Sequence, residues 1–184
     1  MSILLTPSQT NIFNNIEKEL NHPSISRPNY ILTGKPGVGK TFLAKYICQE
    51  ENGIYVSFVC EYGEKFLREV DILDVDGTDL LQFIERKIVA NERGGIFFID
   101  DLEFVFNYIF KNKKVERFLK NYKRLYYFNK VVLMLPSIYF NELSDENIFQ
   151  ISFMNEDRFF LADHYCVAKS VACDFENGYY FRGE

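Results

Sequence analysis

The chain begins with an amphipathic pattern that predicts a helix. Thr6 precedes Pro7, and Gln9 follows three residues after Thr6, an arrangement typical of a helix N-terminus. Apolar residues then recur every three to four positions as far as Leu20, where the sequence Asn-His-Pro ends the pattern. We therefore divide the chain into an N-terminal helix and connector, residues 1–29, and a core with a short C-terminal extension, residues 30–184.

From residue 30 onwards, short apolar runs alternate with segments of helical periodicity. The apolar runs predict buried strands at 30–33, 54–60, 96–99 and 131–135. The segments between them predict helices at 41–50, at 78–93, from 102 onwards and near 113–128. This alternation favours an α/β fold with a mainly parallel sheet between two layers of helices. Residues from 148 onwards mix polar and aromatic positions and predict no clear element.

Composition narrows the class of protein. With 184 residues, 47% hydrophobic and 26% charged, the chain has the make-up of one globular domain. Its net charge of −5 argues against a protein that coats nucleic acid through bulk charge. No apolar run approaches the roughly 20 residues that cross a bilayer, and the N-terminus has no basic segment before an apolar one. The cysteines form no CxxC pair, so we expect reduced thiols in a cytoplasmic protein without a membrane span.

Seven acidic residues lie between positions 61 and 79. The sequence DVDG within this stretch invites a calcium-loop interpretation, with Gly77 at the sixth position of the loop. That alignment places Ile72 and Phe83 where oxygen ligands are required, so we reject it. We interpret the segment as a solvated acidic face.

The strongest chemical signal is the segment GKPGVGKT at 34–41, which fits the pattern GxxxxGK[ST] between a predicted strand and a predicted helix. Its glycines allow backbone N–H groups to surround phosphate oxygens, and the following helix directs its positive dipole end at the same anion. We expect Lys40 to neutralise the β- and γ-phosphates and the Thr41 hydroxyl to hold magnesium. A tight glycine turn with a surface lysine is the alternative. The expected nucleotide-binding residues are Gly34, Lys35, Pro36, Gly37, Val38, Gly39, Lys40, Thr41 and Phe42.

Polar side chains follow the last two predicted strands of the core. Asp100 comes directly after the apolar run at 96–99, and we expect it to serve as the carboxylate on the metal side. Asp101 is placed to polarise an attacking water as a general base, or to cap the helix that begins near Leu102, and the two roles are compatible. Ser137 follows the strand at 131–135 and either orients that water or contacts the γ-phosphate, unless it is a turn serine with no role.

The GKPGVGKT loop, the IFFIDD strand and the polar-tipped strand at Ser137 resemble the core of P-loop ATPases related to the AAA+ and STAND groups. The resemblance covers roughly residues 28–140. It implies ATP and Mg²⁺ as cofactors, Lys40 and Thr41 as phosphate and magnesium ligands, Asp100 as the Walker B acid, Asp101 as the catalytic acid and Ser137 as a sensor. It also implies that the strand at 131–135 lies between the strands at 30–33 and 96–99.

The chain departs from this family in two respects. Most relatives carry Glu where this chain has Asp101, which is one methylene shorter, so slow hydrolysis is expected. Only 29 residues follow Asn155, too few for the helical lid of AAA+ proteins, so we expect a bare or truncated three-layer P-loop NTPase core with no separate lid. The run IDDLEFVFN and the small size are similar to the BrxF family of BREX phage-defence systems. Helicase loaders of the DnaC and IstB type are the competing relatives.

An arginine from a neighbouring subunit often completes such a site, because a guanidinium stabilises charge that develops on the γ-phosphate. Arg158 precedes the segment FFLA and resembles an arginine finger before the last core strand. A surface ion pair with Glu156 or Asp157 is the alternative. The arginine-finger interpretation implies a homo-oligomer or a larger protein complex.

Eight of the 21 basic residues lie between positions 111 and 130, against the single acid Glu116. If this segment is a helix, its basic residues form a stripe on the side opposite an apolar stripe. The basic stripe comprises Lys113, Arg117, Lys120 and Arg124. Such a stripe can follow a nucleic-acid backbone without reading its sequence. A solvated face, or a dock for an acidic protein such as segment 61–79 of another copy, are the alternatives.

These observations favour an ATP-binding, slowly hydrolysing switch of the AAA+ type that acts with partners on DNA in phage defence. A small-molecule kinase is an alternative, although the chain lacks the arginine cluster that kinases use in their lids. A nucleotide-binding adaptor without catalysis and a loader-like replication ATPase are further alternatives. The chain lacks a guanine-reading NKxD motif, which favours ATP over GTP.

Overall fold

The computed structural model describes residues 5–21, 29–35, 37–70, 76–90, 95–109, 114–125, 129–136 and 148–151. The strands found in these residues are β1 (Tyr30–Gly34), β2 (Ile54–Ser57), β3 (Ile96–Asp100), β4 (Lys130–Pro136) and β5 (Ile148–Ile151). The helices are α1 (Pro7–Asn21), α2 (Lys40–Glu50), α3 (Phe58–Glu69), α4 (Gly77–Phe83, continued by a π-helical stretch Ile84–Val89), α5 (Glu103–Ile109) and α6 (Lys114–Arg124).

The strands form one sheet in the order β2-β3-β4-β1-β5, and every pairing in it is parallel. β4 lies between β1 and β3, as the family resemblance implies. The α/β fold with a three-layer P-loop NTPase core and a mainly parallel sheet is therefore confirmed. Because all strands run in the same direction, their carboxyl ends meet at one edge of the sheet, where ligands bind in open α/β folds.

Apolar side chains cover both faces of the sheet. Ile31 on β1 and Leu133 on β4 point to one face and pack with residues of α3 to α6. Leu32 and Val132 point to the other face and pack with residues of α1 and α2. Strands buried on both faces are expected to be continuously apolar, which is why short apolar runs in the sequence identified β1, β3 and β4.

The N-terminal helix starts where the sequence predicts it. The Thr6 N–H donates to Gln9 Oε1 at 3.0 Å, and the Gln9 N–H donates to Thr6 Oγ1 at 3.3 Å, which is a reciprocal cap. Ile12 and Ile16 are buried in the same apolar cluster as α2. The division of the chain at residue 29 stays a prediction. Within the described residues, no helix has the length and apolar character needed to span a bilayer.

The predicted second strand, 54–60, is wrong in its last three residues. β2 ends at Ser57, and helix α3 begins at Phe58. Phe58, Tyr62 and Phe66 recur every fourth residue, and the rings of Phe58 and Phe66 pack edge to face against that of Phe83. The apolar run spans the end of the strand and the first turn of the helix, so its hydrophobicity did not reveal the boundary.

In segment 61–79, which we interpret as a solvated acidic face, Asp76 and Asp79 are half-buried and also cap a helix, whereas Asp71 and Asp74 lie outside the described residues. Asp76 Oδ1 accepts from the N–H groups of Thr78 at 2.6 Å and Asp79 at 3.3 Å, and Asp79 Oδ2 accepts from the Asp76 N–H at 2.9 Å. These two carboxylates form a capping box, so α4 begins at Gly77. The predicted C-terminal end of this helix, at residues 91–94, lies outside the described residues.

Helix α6 is docked by its apolar side, as its pattern predicts. Phe118, Leu119 and Tyr122 are buried. The Tyr122 hydroxyl lies 2.9 Å from the carbonyl oxygen of Tyr30 and 2.8 Å from that of Val131. The helix is therefore fixed to both β1 and β4.

Strand β5 has no counterpart in the sequence prediction. It comprises only Ile148–Ile151 and pairs with β1, with Thr33 opposite Gln150. A strand of four residues in a segment that mixes polar and apolar positions has too short a hydrophobic pattern to be recognised in the sequence. Its pairing with β1 defines it.

Candidate nucleotide site

The segment from Gly34 to Thr41 connects β1 to α2 at the carboxyl edge of the sheet. Gly37 and Gly39 adopt φ values of 80° and 85°, a region that favours glycine because it lacks a Cβ atom. Val38 is buried in the apolar cluster beside α2 and anchors the loop. The loop ends at the N-terminus of α2, and a helix N-terminus favours an anion.

Lys40 folds back over this loop. Its ammonium donates to the carbonyl oxygens of Gly34 at 3.0 Å and Lys35 at 3.2 Å. Burial lowers the pKa of the Lys40 ammonium below its ordinary value, while the carboxylates of Glu103 and Asp100 act in the opposite direction. A bound triphosphate would place negative charge beside this ammonium and so favour its protonated form.

Asp100 ends β3 and is 95% buried, with 5% of its surface exposed. Its Oδ2 accepts hydrogen bonds from the Thr41 hydroxyl at 2.6 Å and from the Tyr55 hydroxyl at 2.8 Å. Its Oδ1 accepts from the Asp101 N–H at 2.9 Å. The Walker B position is thereby joined to the phosphate loop through Thr41 and to β2 through Tyr55.

Two side chains contact Tyr55, Asp100 at its hydroxyl and Lys45 at its ring. Burial, and next the hydrogen bond to Asp100, raise the pKa of its phenol, so it stays a donor at neutral pH. The Lys45 ammonium lies 4.8 Å from the centroid of the Tyr55 ring, within the range of a cation–π contact.

Asp101 has an unusual backbone conformation. Its φ of 61° lies in the left-handed region, which Asp tolerates better than most residues. Its Oδ2 accepts from the Ser57 hydroxyl at 2.5 Å. Helix α5 begins at Glu103, and the Phe106 N–H donates to the Leu102 carbonyl oxygen at 2.9 Å. Leu102 thus holds the cap position, and the alternative in which Asp101 is the N-cap residue is wrong.

Glu103 is a third carboxylate near the loop, and sequence reasoning missed it. Its side chain is half-buried, and burial raises the pKa of its carboxyl group above the ordinary value. Its own backbone N–H and the Lys40 ammonium lower that pKa, whereas Asp100 and Asp101 raise it.

Tyr55 and Ser57 were also missed, although a signal for them exists. Alternate residues of a strand share a face, and the β2–β3 register pairs Ser57 with Asp100. Both hydroxyls therefore face the carboxylates of Asp100 and Asp101 at the end of β3. Finding them from sequence required knowledge that β2 is the neighbour of β3.

The residues present fit a magnesium–nucleotide complex. Thr41 and Asp100 offer hydroxyl and carboxylate oxygens, the hard ligands that Mg²⁺ prefers alongside phosphate oxygens. Lys40 offers a cation at the same loop. The arrangement can therefore bind a polyphosphate and a divalent ion together.

Several predicted site residues lie outside the described residues, namely Pro36, Lys113, Ser137 and Arg158. Arg117 lies on α6, but its side chain is outside the described part of that helix. Lys120 and Arg124 are exposed on α6, on the side away from the buried Phe118 and Tyr122.

The family model described as "ATPase family associated with various cellular activities (AAA)" matches residues 30–151, more than half of the chain. None of the curated proteins matches the chain.

Several solved structures are similar to the chain. The Orc1 protein of Aeropyrum pernix in complex with DNA is 14% identical, over 87% of this chain and 49% of that chain, with a TM-score of 0.45. The RuvB Holliday junction branch migration motor of Thermotoga maritima is 20% identical, over 84% and 48%, with a TM-score of 0.42. The Pif1 helicase of Candida albicans is 16% identical, over 95% and 47%, with a TM-score of 0.38. The chain spans about half the length of these structures.

Proposed function

Because the chain belongs to the AAA family of ATPases, we propose that it binds Mg-ATP at the 34–41 loop and hydrolyses it slowly. The observation that carries the proposal is the 2.6 Å hydrogen bond between Thr41 and Asp100. It joins the phosphate loop to the carboxylate at the end of β3, the two parts that a magnesium–nucleotide complex needs.

Lys40, Thr41, Asp100 and the first turn of α2 each have a defined task in this proposal. Lys40 leaves the carbonyls of Gly34 and Lys35 and pairs with the β- and γ-phosphates. Thr41 and Asp100 hold Mg²⁺, which when bound neutralises charge on the phosphates. The first-turn N–H groups of α2 bind phosphate oxygens. The loop thus orients the γ-phosphate toward the carboxylates that follow β3.

Further residues complete the site in the proposal. The family resemblance assigns water activation to Asp101, sensing of the γ-phosphate to Ser137 and charge stabilisation from a second subunit to Arg158. With Arg158 acting in trans, the active form is a homo-oligomer or part of a larger complex. Turnover per subunit then rises with protein concentration.

The proposal extends to DNA and to phage defence. Lys120 and Arg124 lie exposed on the side of α6 that faces away from the core, where they can contact a phosphate backbone. The similarity of IDDLEFVFN to the BrxF family supports an ATP-driven switch in a phage-defence complex.

The test is ATP turnover by the purified protein over a range of concentrations, with and without duplex DNA. Lys40→Ala reports contaminating activity, and Lys65→Ala, an exposed lysine on α3, is the matched control. We expect turnover that depends on Lys40, rises per subunit with concentration and increases with DNA. Turnover that is equal in wild type and Lys40→Ala overturns the proposal.

A further inference from the structure

Tyr55 reaches the nucleotide site from β2, a neighbour of the strand that carries the Walker B carboxylate. Its hydroxyl donates to Asp100 Oδ2 at 2.8 Å, and the strand register pairs it with Phe98, two residues before Asp100. The ammonium of Lys45, on α2, lies 4.8 Å from the centroid of the Tyr55 ring. Contacts with α2 and β3 thus fix the position of the Tyr55 hydroxyl.

The Asp100 carboxylate accepts hydrogen bonds at both of its oxygens. Oδ2 accepts from the hydroxyls of Thr41, at 2.6 Å, and Tyr55, whereas Oδ1 accepts from the Asp101 N–H at 2.9 Å. Each oxygen of an ionised carboxylate has about two lone pairs. Both lone pairs of Oδ2 are therefore occupied, and one lone pair remains on Oδ1. Among the described residues, no other group donates a hydrogen bond to this carboxylate.

These hydrogen bonds determine what Thr41 and Asp100 can offer a cation. The Thr41 hydroxyl has one proton, and because that proton is donated to Asp100, its lone pairs are free. Asp100 offers the remaining lone pair on Oδ1. For Oδ2 to bind a cation as well, either the Thr41 or the Tyr55 hydroxyl must release it. The carboxylate is thus held in a form that binds a cation through one oxygen.

A carboxylate held in this form suits Mg²⁺ better than Ca²⁺. Mg²⁺ is small, requires nearly ideal octahedral geometry and is usually bound by few carboxylates together with phosphates and water. Ca²⁺ takes a larger and more variable set of oxygens, and it often binds both oxygens of one carboxylate. Because Asp100 has only one oxygen with a free lone pair, it meets the requirement of Mg²⁺ and withholds the second oxygen from Ca²⁺.

We propose that Tyr55 is a positioning residue that makes the nucleotide site selective for Mg²⁺ over Ca²⁺; this inference rests on the proposed function. Tyr55 occupies Oδ2 of Asp100, and Lys45 holds the Tyr55 ring in place. Loss of the Tyr55 hydroxyl frees a lone pair on Oδ2 and removes one of the donors that fix the carboxylate. Hydrogen-bond partners of metal ligands typically change metal affinity about 10- to 100-fold.

Calorimetric titration of the slowly hydrolysed analogue AMPPNP tests this selectivity, because it measures binding and needs no turnover. Each protein is titrated with Mg²⁺, with Ca²⁺ and in EDTA, and wild type should bind more tightly with Mg²⁺ than with Ca²⁺. In Tyr55→Phe, the ratio of the Mg²⁺ affinity to the Ca²⁺ affinity should fall about fivefold or more, while the affinity in EDTA stays within about twofold. Tyr62→Phe removes a hydroxyl from α3 and should leave the ratio unchanged.

The affinity ratio separates a positioning role from a structural one. A Tyr55→Phe variant that loses affinity equally with Mg²⁺, with Ca²⁺ and in EDTA overturns the inference, and so does a wild type that does not prefer Mg²⁺. Both results leave the proposed function standing. A wild type that does not bind AMPPNP with Mg²⁺ overturns the proposed function, and this inference falls with it.

A second variant keeps the test decisive if Tyr55→Phe does not fold. Lys45→Met removes the cation from the Tyr55 ring and keeps a long apolar side chain on α2. Its ratio of Mg²⁺ to Ca²⁺ affinity should fall in the same direction, by about twofold or more. In that case an unchanged ratio in Lys45→Met overturns the inference.

Discussion

At the scale of single residues, hydroxyl groups organise the acidic side of the site. Thr41, Tyr55 and Ser57 come from α2 and β2, and each donates to a carboxylate at the end of β3. A hydrogen bond to a charged acceptor is stronger than one between neutral groups. These hydroxyls therefore hold the carboxylates in place before nucleotide arrives.

Tyr55→Phe tests this role, because it removes the donor to Asp100 and keeps the ring. We expect the free energy of unfolding to fall by about 1–2 kcal/mol, since a buried carboxylate loses a partner. Urea denaturation measures the change. Tyr62→Phe removes a hydroxyl from the neighbouring helix α3 and serves as the control. Equal stability of the two variants would show that the Tyr55 hydroxyl contributes nothing to Asp100.

Ser57→Ala tests the contact to Asp101. If Asp101 activates the attacking water, loss of the Ser57 hydroxyl that holds its carboxylate should lower kcat about tenfold, a change of about 1.4 kcal/mol in the barrier. Steady-state ATPase assays measure this. A kcat within about threefold of wild type would indicate that the contact from Ser57 to Asp101 has no part in the chemistry.

The sequence pattern predicted candidate residues on the loop and at the end of β3, but it did not predict Tyr55 and Ser57. Lys40, Thr41 and Asp100 were predictable because a contiguous motif and a strand end specify them. Tyr55 and Ser57 act through the register of β2 on β3, which no local pattern encodes. Glu103 lies only two residues beyond Asp101, and its place on the first turn of α5 follows from where that helix begins.

At the scale of elements, boundaries depend on capping and packing. The start of α1 was predictable because Thr6 and Gln9 form a local motif. The change from β2 to α3 at Ser57 and Phe58 was not, because both sides of it are apolar. β5 was missed because only its pairing with β1 defines it.

Asp76→Ala tests the cap of α4. It removes the side chain that accepts from Thr78 and Asp79, and we expect a loss of about 1 kcal/mol in the free energy of unfolding. Asp76→Asn keeps an acceptor oxygen and should lose much less. Thermal or urea denaturation of both variants separates the cap from the loss of charge. Equal destabilisation by the two substitutions would contradict the cap.

At the scale of the whole molecule, the parallel sheet gathers the loop and the carboxylates at one edge. α6 lies on the sheet face opposite α1 and α2, fixed to β1 and β4 by Tyr122, and shows Lys120 and Arg124 outward. Nucleotide chemistry and a basic surface are thus carried by different elements of one core.

Lys120→Glu combined with Arg124→Glu tests the basic surface. We expect the double variant to weaken duplex DNA binding about tenfold or more at low salt, because two phosphate contacts become repulsions. Lys65→Glu combined with Arg86→Glu makes the same change of charge at exposed positions on α3 and the π-helical stretch. Gel-shift titrations compare the two. Equal losses in both variants would assign binding to overall charge rather than to α6.

The central claim is that the 34–41 loop binds Mg-ATP, and calorimetric titration of AMPPNP with Mg²⁺ tests it most directly. Wild type should bind one nucleotide per chain, and Lys65→Ala should match it. Lys40→Ala should bind at least about tenfold more weakly, a loss of about 1.4 kcal/mol or more. Equal affinity in wild type and Lys40→Ala, or no binding by wild type, would contradict the account.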